Sequence, residues 1–183
     1  MCGIIGIISN KPVSSAIINS LRKLEYRGYD SSGIATLSDG LINEVKSEGK
    51  LDNLEKNPAI KNMLGNLGIG HVRWATHGIP NTINAHPHSS EFVSVVHNGI
   101  IENSTILKKY LIGKGHHFKS QTDSEVIVHL ITEHLKENDL KDSILKMLKQ
   151  LHGSFALGVI FKDQPCLLYT SPSPRDQRRS RMP

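Results

Sequence analysis

Apolar residues recur along the chain in two spacings, which predict two kinds of element. Short runs rich in Ile, Val and Leu have the length of buried strands. Longer stretches repeat their apolar positions every three to four residues, as on one face of a helix. Strands are predicted at 4–8, 34–38, 41–46, 67–74, 92–97 and 154–161. Helices are predicted at 12–25, 51–64 with a break at Pro58, 106–111, 122–135 and 140–150.

Turn-forming residues indicate how these elements connect. Asp39-Gly40 lies between two predicted strands and is the strongest hairpin signal in the chain. The run Thr122-Asp123-Ser124-Glu125 has the pattern of a capping box that opens a helix. Residues 75–90 form a long loop without hydrophobic periodicity, and loops of this length are more often functional lids than simple connections.

Length and composition predict a soluble protein with one domain. The chain has 183 residues, of which 38% are hydrophobic and 21% charged, enough for a sizeable core. No apolar run approaches the ~20 residues of a membrane span, and no basic segment precedes the first apolar run as in a signal peptide. We therefore expect a cytoplasmic protein in which Cys2 and Cys166 stay unpaired.

The positive charge is concentrated at the end of the chain. The net charge is +5, but residues 166–183 hold four arginines and one aspartate, so the remaining residues carry only +2. A nucleic-acid partner is therefore poorly supported. Pro, Ser and Arg dominate this end, a composition that cannot bury a core. We expect a domain at 1–165 and a disordered tail at 166–183, either a translated sequencing adapter or a genuine basic tail.

The chain begins with a residue pair that suggests nucleophilic chemistry. If Met1 is removed, Cys2 carries a thiol and a free α-amine, whose reference pKa of about 7.7–8.0 leaves part of it unprotonated near neutrality. The amine can then take the thiol proton and produce the nucleophilic thiolate. The alternative for this stretch alone is a small buried cysteine next to the start methionine.

Three further polar clusters lie where strands end or a helix begins: 73–78, 97–99 and 122–123. An asparagine amide with an adjacent glycine N–H, as in Asn98-Gly99, can stabilise the oxyanion formed when a thiolate attacks an amide. A zwitterionic amino acid also needs a guanidinium for its carboxylate and a carboxylate for its ammonium. Arg73 and Asp123 are of those types, although spacing alone does not bring them together.

Six segments, in this order, closely resemble one known family. They are MCGIIG at 1–6, LEYRGYDS at 24–31, HVRWATHG at 71–78, NAHPH at 84–88, HNGIIEN at 97–103 and TDSEVI at 122–127. Together they resemble the N-terminal glutaminase domain of the glutamine–fructose-6-phosphate aminotransferases. These belong to the class II glutamine amidotransferases, which are N-terminal-nucleophile hydrolases. The resemblance runs from residue 1 to about residue 165.

The resemblance implies catalytic roles for four residues. Cys2 is the nucleophile, with its own α-amine as general base and later acid. The side chain of Asn98 and the backbone N–H of Gly99 form the oxyanion hole. Arg27 organises the surroundings of the nucleophile.

The resemblance also implies how glutamine is held. Arg73 binds its carboxylate and Asp123 its ammonium group. Residues 73–81 form a loop that closes over the substrate and excludes water. The pocket is completed by Thr76, His77 and the backbone at Trp74, whose indole resembles the family's gate on an ammonia channel.

Simpler roles remain open for some of these residues. Trp74 could belong to the core, Asp123 could act as an N-cap as well as a ligand, and His77 could be a surface histidine. The many histidines suggest a metal site, but none of them has zinc-ligand spacing. We therefore expect no metal and no cofactor.

For the fold, the resemblance implies an α+β protein, a four-layer α/β/β/α sandwich of the N-terminal-nucleophile hydrolase type, here C-terminally truncated. An incomplete sheet would leave an exposed edge, so we expect a marginally folded or poorly soluble chain. The implied partners are L-glutamine and, in a full-length homodimer, fructose 6-phosphate on a C-terminal isomerase domain. The alternatives are a non-catalytic fragment or an amidotransferase with another acceptor.

Overall fold

The structure, a computed structural model, describes residues 2–170. Within these residues the chain forms eight strands and five α-helices. The strands are β1 Gly3–Ile8, β2 Ser31–Ser38, β3 Leu41–Glu48, β4 Leu67–Arg73, β5 His88–Ser89, β6 Val93–Ile101, β7 Gly153–Phe161 and β8 Leu168–Thr170. The helices are α1 Ser14–Leu24, α2 Leu51–Glu55, α3 Ser104–Gly113, α4 Glu125–His134 and α5 Leu140–Gln150. Short 3₁₀ turns follow α1 and α2, the second at Pro58–Asn62 where the helix was expected to break.

The strands form two antiparallel sheets of four strands each. The first has the order β1-β4-β2-β3 and the second the order β5-β6-β7-β8. The tight β2–β3 connection is the predicted Asp39-Gly40 turn, in which both residues have positive φ, 51° and 70°. Such a turn matches the twist of the flanking strands and favours Asp or Asn followed by Gly.

Three apolar clusters define four layers. One lies between α1, α2 and the first sheet and includes Ile17, Leu21 and Leu54. A second lies between the two sheets and includes Ile69 and Ile160. A third packs the second sheet against α3, α4 and α5. The predicted α/β/β/α sandwich is therefore confirmed.

Two short strands were not predicted, and one of them changes a boundary. Residues 168–170 of β8 pair with β7, although 166–183 was predicted to be a disordered tail. They pair there because β7 offers a free edge, and because Leu168 and Tyr169 pack against the apolar clusters on the two faces of the sheet. The prediction is wrong for these three residues. The rest of the predicted tail, 171–183, lies outside the described residues.

Within residues 2–170, none of the helices is both long and apolar enough to cross a membrane. Cys2 and Cys166 are both free cysteines in this structure.

Candidate active site

The thiol of Cys2 is held at the end of a neighbouring strand. Because β1 pairs antiparallel with β4, with Gly3 opposite Val72, Cys2 comes to lie where β4 ends. The backbone nitrogen of Trp74 donates a hydrogen bond to its Sγ at 3.4 Å. Burial raises the pKa of the Cys2 thiol, while the bond from Trp74 and the charge of Arg73 act in the opposite direction. Burial therefore favours the neutral form of the thiol.

The loop that follows α1 fixes the same strand end. Asp30 donates its backbone N–H to the carbonyl oxygen of Arg73 at 3.0 Å, and its carboxylate accepts from the N–H of Ala75 at 2.8 Å. Gly28 lies so close to this strand that a Cβ there would be 2.5 Å from the nitrogen of Trp74. These contacts determine the direction in which the chain leaves β4.

Arg73 is buried, and its guanidinium holds the loop after β4. It donates hydrogen bonds to the carbonyl oxygens of His77, of Gly78 at 3.3 Å and of Ile79 at 3.4 Å. Burial lowers the pKa of Arg73, and nearby Cys2, Asp30 and Asp123 partly oppose this. The loop is therefore built around the cation that was predicted to bind a carboxylate.

Asn98 and Gly99 lie on β6, and each lines a pocket that Cys2 also lines. Asn98 lines a cleft of about 310 Å³ that also contains Cys2 and Arg27. Gly99 lines a smaller pocket, of about 20 Å³, with Cys2, Arg73 and Asp123. Gly99 has a φ of 149°, and a Cβ there would lie 2.0 Å from the carbonyl oxygen of Ser154. Only glycine fits this position.

Asp123 lies in the small pocket and is fixed from β6. Its Oδ2 accepts a hydrogen bond from the backbone nitrogen of Ile101 at 2.8 Å, and its Oδ1 accepts one from Ser124 Oγ at 3.4 Å. It does not cap α4, which begins at Glu125 with Ser124 as N-cap and without a side-chain capping bond. The carboxylate of Glu125 instead accepts from the backbone nitrogens of Lys119 and Ser120. The predicted capping box is therefore wrong, and Asp123 is a pocket residue.

The remaining predicted residues surround the pocket and the cleft. Thr76 and His77 line the small pocket on its exposed side, with 3.3 Å between Thr76 Oγ1 and His77 Nδ1. The indole of Trp74 is 45% exposed and meets the ring of Tyr29 edge to face, so Trp74 is not a core residue. Arg27 borders the larger cleft and donates to the hydroxyl of Tyr26 at 3.2 Å. Arg27 is therefore near Cys2 but outside the small pocket.

Four buried histidines lie at the small pocket or next to it, and two of them, His86 and His97, line it. Desolvation lowers the pKa of His71 and of His88 to about 3 and that of His97 to about 4, and it holds the pKa of His86 well below 6.5. All four are neutral near pH 7. Among the described residues no group of three or more histidine, cysteine or acidic side chains is arranged to hold a metal ion.

Sequence reasoning missed several residues that hold the site together. Asp30 was named only within the segment at 24–31, and His97 only within the polar cluster at 97–99 and the segment at 97–103, without a role of its own. Asn84 was missed, although its side chain accepts from the backbone nitrogen of Gln121 at 2.8 Å and donates to the carbonyl oxygen of Ile79 at 3.0 Å. Each acts across a non-local contact, for which a single sequence gives no signal.

Comparison with known proteins decides the family. Residues 75–171 match the family model described as a glutamine amidotransferase domain. The chain belongs to the glutamine amidotransferase family. The resemblance deduced from the six segments is thereby confirmed at the family level.

Relatives within this family make the comparison more specific. The chain is 50% identical over 169 residues to the glutamine–fructose-6-phosphate aminotransferase (isomerizing) of Zymomonas mobilis, which covers 92% of this chain and 28% of the relative. It is 52% identical over 172 residues to the enzyme of the same name from Pyrococcus horikoshii, and this match covers 92% of this chain and 29% of the relative. This amidotransferase chain thus spans less than a third of the length of these relatives.

Solved structures support the same fold. The glutamine phosphoribosylpyrophosphate amidotransferase of B. subtilis has a TM-score of 0.78 and 28% identity, over 88% of this chain and 35% of that one. A class-II glutamine aminotransferase domain protein from Silicibacter pomeroyi has a TM-score of 0.61 and covers 95% of this chain and 78% of its own. Its 14% identity supports the fold alone.

Proposed function

We propose that this chain hydrolyses L-glutamine to L-glutamate and ammonia, as the glutaminase part of a glutamine–fructose-6-phosphate aminotransferase. The observation that carries this proposal is the convergence of Cys2, Gly99, Arg73 and Asp123 on one small pocket. A nucleophile, an oxyanion donor, a cation and an anion in one pocket match the carboxamide, carboxylate and ammonium groups of glutamine.

The first chemical step is attack of Cys2 on the amide carbon of glutamine. With Met1 removed, the α-amine of Cys2 takes the thiol proton, and the thiolate forms a bond to the carbonyl carbon. Negative charge then develops on the carbonyl oxygen, where the Asn98 amide and the Gly99 N–H stabilise it. The protonated α-amine returns its proton to the leaving nitrogen, and ammonia departs as a thioester forms.

The second step releases glutamate. Water, deprotonated by the same α-amine, attacks the thioester carbon, and the bond to the Cys2 sulfur breaks. The thiolate recovers its proton from the amine. Because one base serves both steps, the chemistry needs no other titrating side chain.

Arg73 and Asp123 hold the two charged groups of the substrate in this proposal. The guanidinium of Arg73 has donors beyond those that bind the loop carbonyls, since an arginine carries five N–H groups. The small pocket encloses only about 20 Å³, so glutamine enters when the loop after β4 opens, with Thr76 and His77 completing the pocket as it closes. Arg27 then borders Cys2 from the larger cleft.

The acceptor is proposed from the names of the relatives. An enzyme named an isomerizing glutamine–fructose-6-phosphate aminotransferase transfers the amide nitrogen to fructose 6-phosphate, and this chain would supply the ammonia. The proposal includes an isomerase domain in the remaining length of such an enzyme and a homodimer of the full-length protein. The indole of Trp74 would gate the passage of ammonia.

The experiment that tests the proposal is a glutamine hydrolysis assay on the chain with Met1 removed, as verified by intact mass. We expect ammonia and glutamate in equal amounts, and Cys2→Ala should abolish turnover while leaving the thermal transition in place. Cys166→Ala is the matched control, because Cys166 is exposed and lies outside the pocket. Turnover of the Cys2→Ala chain within about tenfold of the unmodified chain would refute the nucleophile. Glutamine binding without turnover would indicate a non-catalytic binding module.

A further inference from the structure

A buried histidine hydrogen bond joins the two sheets beneath the pocket. Nε2 of His71, on β4, lies 2.9 Å from the backbone carbonyl oxygen of His97, on β6. The side chain of His71 is fully buried. Since a carbonyl oxygen can only accept, the His71 proton must be on Nε2.

The position of this bond in the chain is significant. His71 lies three residues before Trp74, whose backbone nitrogen holds the sulfur of Cys2. His97 lies directly before Asn98 and Gly99, the proposed oxyanion donors. The bond therefore connects the strand that positions the nucleophile to the strand that positions the donors.

The other contacts between the sheets cannot fix this relationship as well. Close to β4 and β6 they are mainly apolar, formed by side chains such as Leu67, Ile69, Val96 and Ile160. A hydrogen bond from Ser89 Oγ to Glu44 Oε2 at 2.5 Å also joins the sheets, but between β5 and β3, and neither residue lines a pocket that contains Cys2. Apolar contacts are non-directional, and they tolerate small shifts of one sheet along the other. A hydrogen bond is directional and weakens steeply when its geometry changes.

Among the described residues, the bond to His97 is the one hydrogen bond that the His71 ring makes. Its other nitrogen, Nδ1, has no hydrogen-bond partner in the described part of the chain. One face of the ring stacks on His86, with 4.2 Å between the ring centroids and 17° between the planes. An apolar side chain of similar size could fill the same space, but it would take away the donor that His71 gives to the His97 carbonyl oxygen.

We infer that His71 is a positioning residue for glutamine hydrolysis: its Nε2–H fixes the oxyanion donors of β6 relative to the sulfur of Cys2. This inference rests on the proposed glutaminase function. His71 does not itself line the small pocket; it contacts the main chain of His97 and the ring of His86, both of which line that pocket. Its neutral form suffices, and desolvation lowers its pKa to about 3, which keeps the ring neutral near pH 7.

A separate set of hydrogen bonds leads from β6 to the ammonium end of the pocket. His97 Nδ1 lies 2.7 Å from Ser124 Oγ, and Ser124 Oγ donates to Asp123. The directions of these two bonds are consistent if the His97 proton is on Nδ1: His97 then donates to Ser124 Oγ, and Ser124 Oγ donates to Asp123. Loss of the Ser124 hydroxyl should therefore loosen the group that binds ground-state glutamine, whereas loss of the His71 donor should misplace groups that act in the transition state.

The experiment compares His71→Gln with His71→Met in the chain with Met1 removed. The two side chains have nearly the same length, but only glutamine carries an N–H donor where Nε2 of histidine lies. We expect His71→Met to lower kcat about 10–100-fold with KM within about threefold, since a misplacement near 1 Å can cost about 10²-fold. His71→Gln should recover most of kcat. Ser124→Ala should instead raise KM, with kcat nearly unchanged.

Two outcomes would overturn the inference while leaving the proposed function intact. One is an active chain in which His71→Met and His71→Gln have the same kcat. The other is an imidazole ¹⁵N spectrum of the unmodified chain that places the His71 proton on Nδ1, a result that does not depend on whether either variant folds. An unmodified, Met1-free chain without turnover would instead overturn the proposed function, and the inference with it.

Discussion

The sulfur of Cys2 lies 3.4 Å from the backbone nitrogen of Trp74, although 72 residues separate them in the chain. This contact results from the antiparallel pairing of β1 with β4. It fixes the thiol at the entrance to the pocket but does not ionise it, because burial raises the pKa of the Cys2 thiol overall. In the proposed hydrolysis of glutamine, the base that takes the thiol proton is the α-amine of a processed Cys2.

Retention of Met1 should abolish this catalysis. When the amine of Cys2 is part of a peptide bond it cannot accept a proton, and general base catalysis contributes about 10²–10⁴-fold. We expect a chain expressed while methionine aminopeptidase is inhibited to have a kcat at least about 100-fold below that of the processed chain. Intact mass spectrometry gives the processed fraction of each preparation. A kcat independent of that fraction would contradict the assignment of the base.

Replacement of Asn98 should lower kcat without affecting the fold. The half-buried side chain makes no hydrogen bond to another residue in 2–170, so its removal should change the free energy of unfolding by less than about 0.5 kcal/mol. Loss of one oxyanion donor typically costs about 10²–10³-fold in kcat. Asn98→Asp tests the donor most directly, because the shape is kept and the N–H is lost. The measurements are steady-state kinetics and urea unfolding, and a kcat of Asn98→Asp near that of the unmodified chain would exclude the amide as donor.

Gly99→Ala should destabilise the fold itself. A residue other than glycine at a φ of 149° is strained, and the added Cβ would lie 2.0 Å from Ser154 O on β7. Backbone strain of this kind costs about 1–3 kcal/mol, to which the steric clash adds. Gly113→Ala is the matched control, because its Cβ would meet no heavy atom within 4 Å at the end of α3. The control should be neutral or stabilising by up to about 1 kcal/mol, and equal melting temperatures for the two variants would contradict the prediction.

Local patterns predicted most of the elements correctly. The Asp39-Gly40 turn needs only two residues with positive φ, and α5 was predicted at its observed bounds, 140–150. The strand β5 is only two residues long, too short for a periodicity. The predicted capping box is wrong because Glu125 has stronger partners in the preceding turn, the backbone nitrogens of Lys119 and Ser120.

The site could be predicted only residue by residue, through the family resemblance. The sequence contains Cys2, Arg73 and Asp123, but their meeting depends on the register of β1 with β4 and on the packing of one sheet on the other. The same holds for the hydrogen bond between His71 and His97, whose partners lie on different sheets. Strand registers of this kind are determined by tertiary packing, which no short window of sequence contains.

Asp123→Asn should separate charge from structure in the pocket. Asparagine can still accept the hydrogen bond from the backbone nitrogen of Ile101, so the fold should keep its stability. The negative charge that we propose binds the substrate ammonium is lost, and hydrogen bonds to charged groups contribute about 1.5–3 kcal/mol. We expect KM for glutamine to rise about 10–100-fold, with kcat within a few-fold. A fall in kcat at unchanged KM would instead place Asp123 in the chemical step.

Acid should unfold the chain because its buried histidines are neutral. The pKa values of His71 and His88, about 3, and of His97, about 4, lie below the ordinary 6.5 of the unfolded chain. Between about pH 4 and 6.5 the unfolded state thus binds more protons than the folded state, and the free energy of unfolding rises with pH. The stabilisation is complete above about pH 6.5 and is lost as the pH falls toward 4.

The size of this effect can be measured by urea unfolding at pH 7.5, 6 and 5. Each buried histidine contributes up to about 1.4 kcal/mol per pH unit once the unfolded state is protonated. His71→Gln removes one such group, so its pH dependence should correspond to about one proton fewer taken up on unfolding. A urea midpoint that stays constant or increases as the pH is lowered from 7.5 to 5 would contradict neutral histidines in the folded chain. Such a result would also remove the basis for assigning the His71 proton to Nε2 alone.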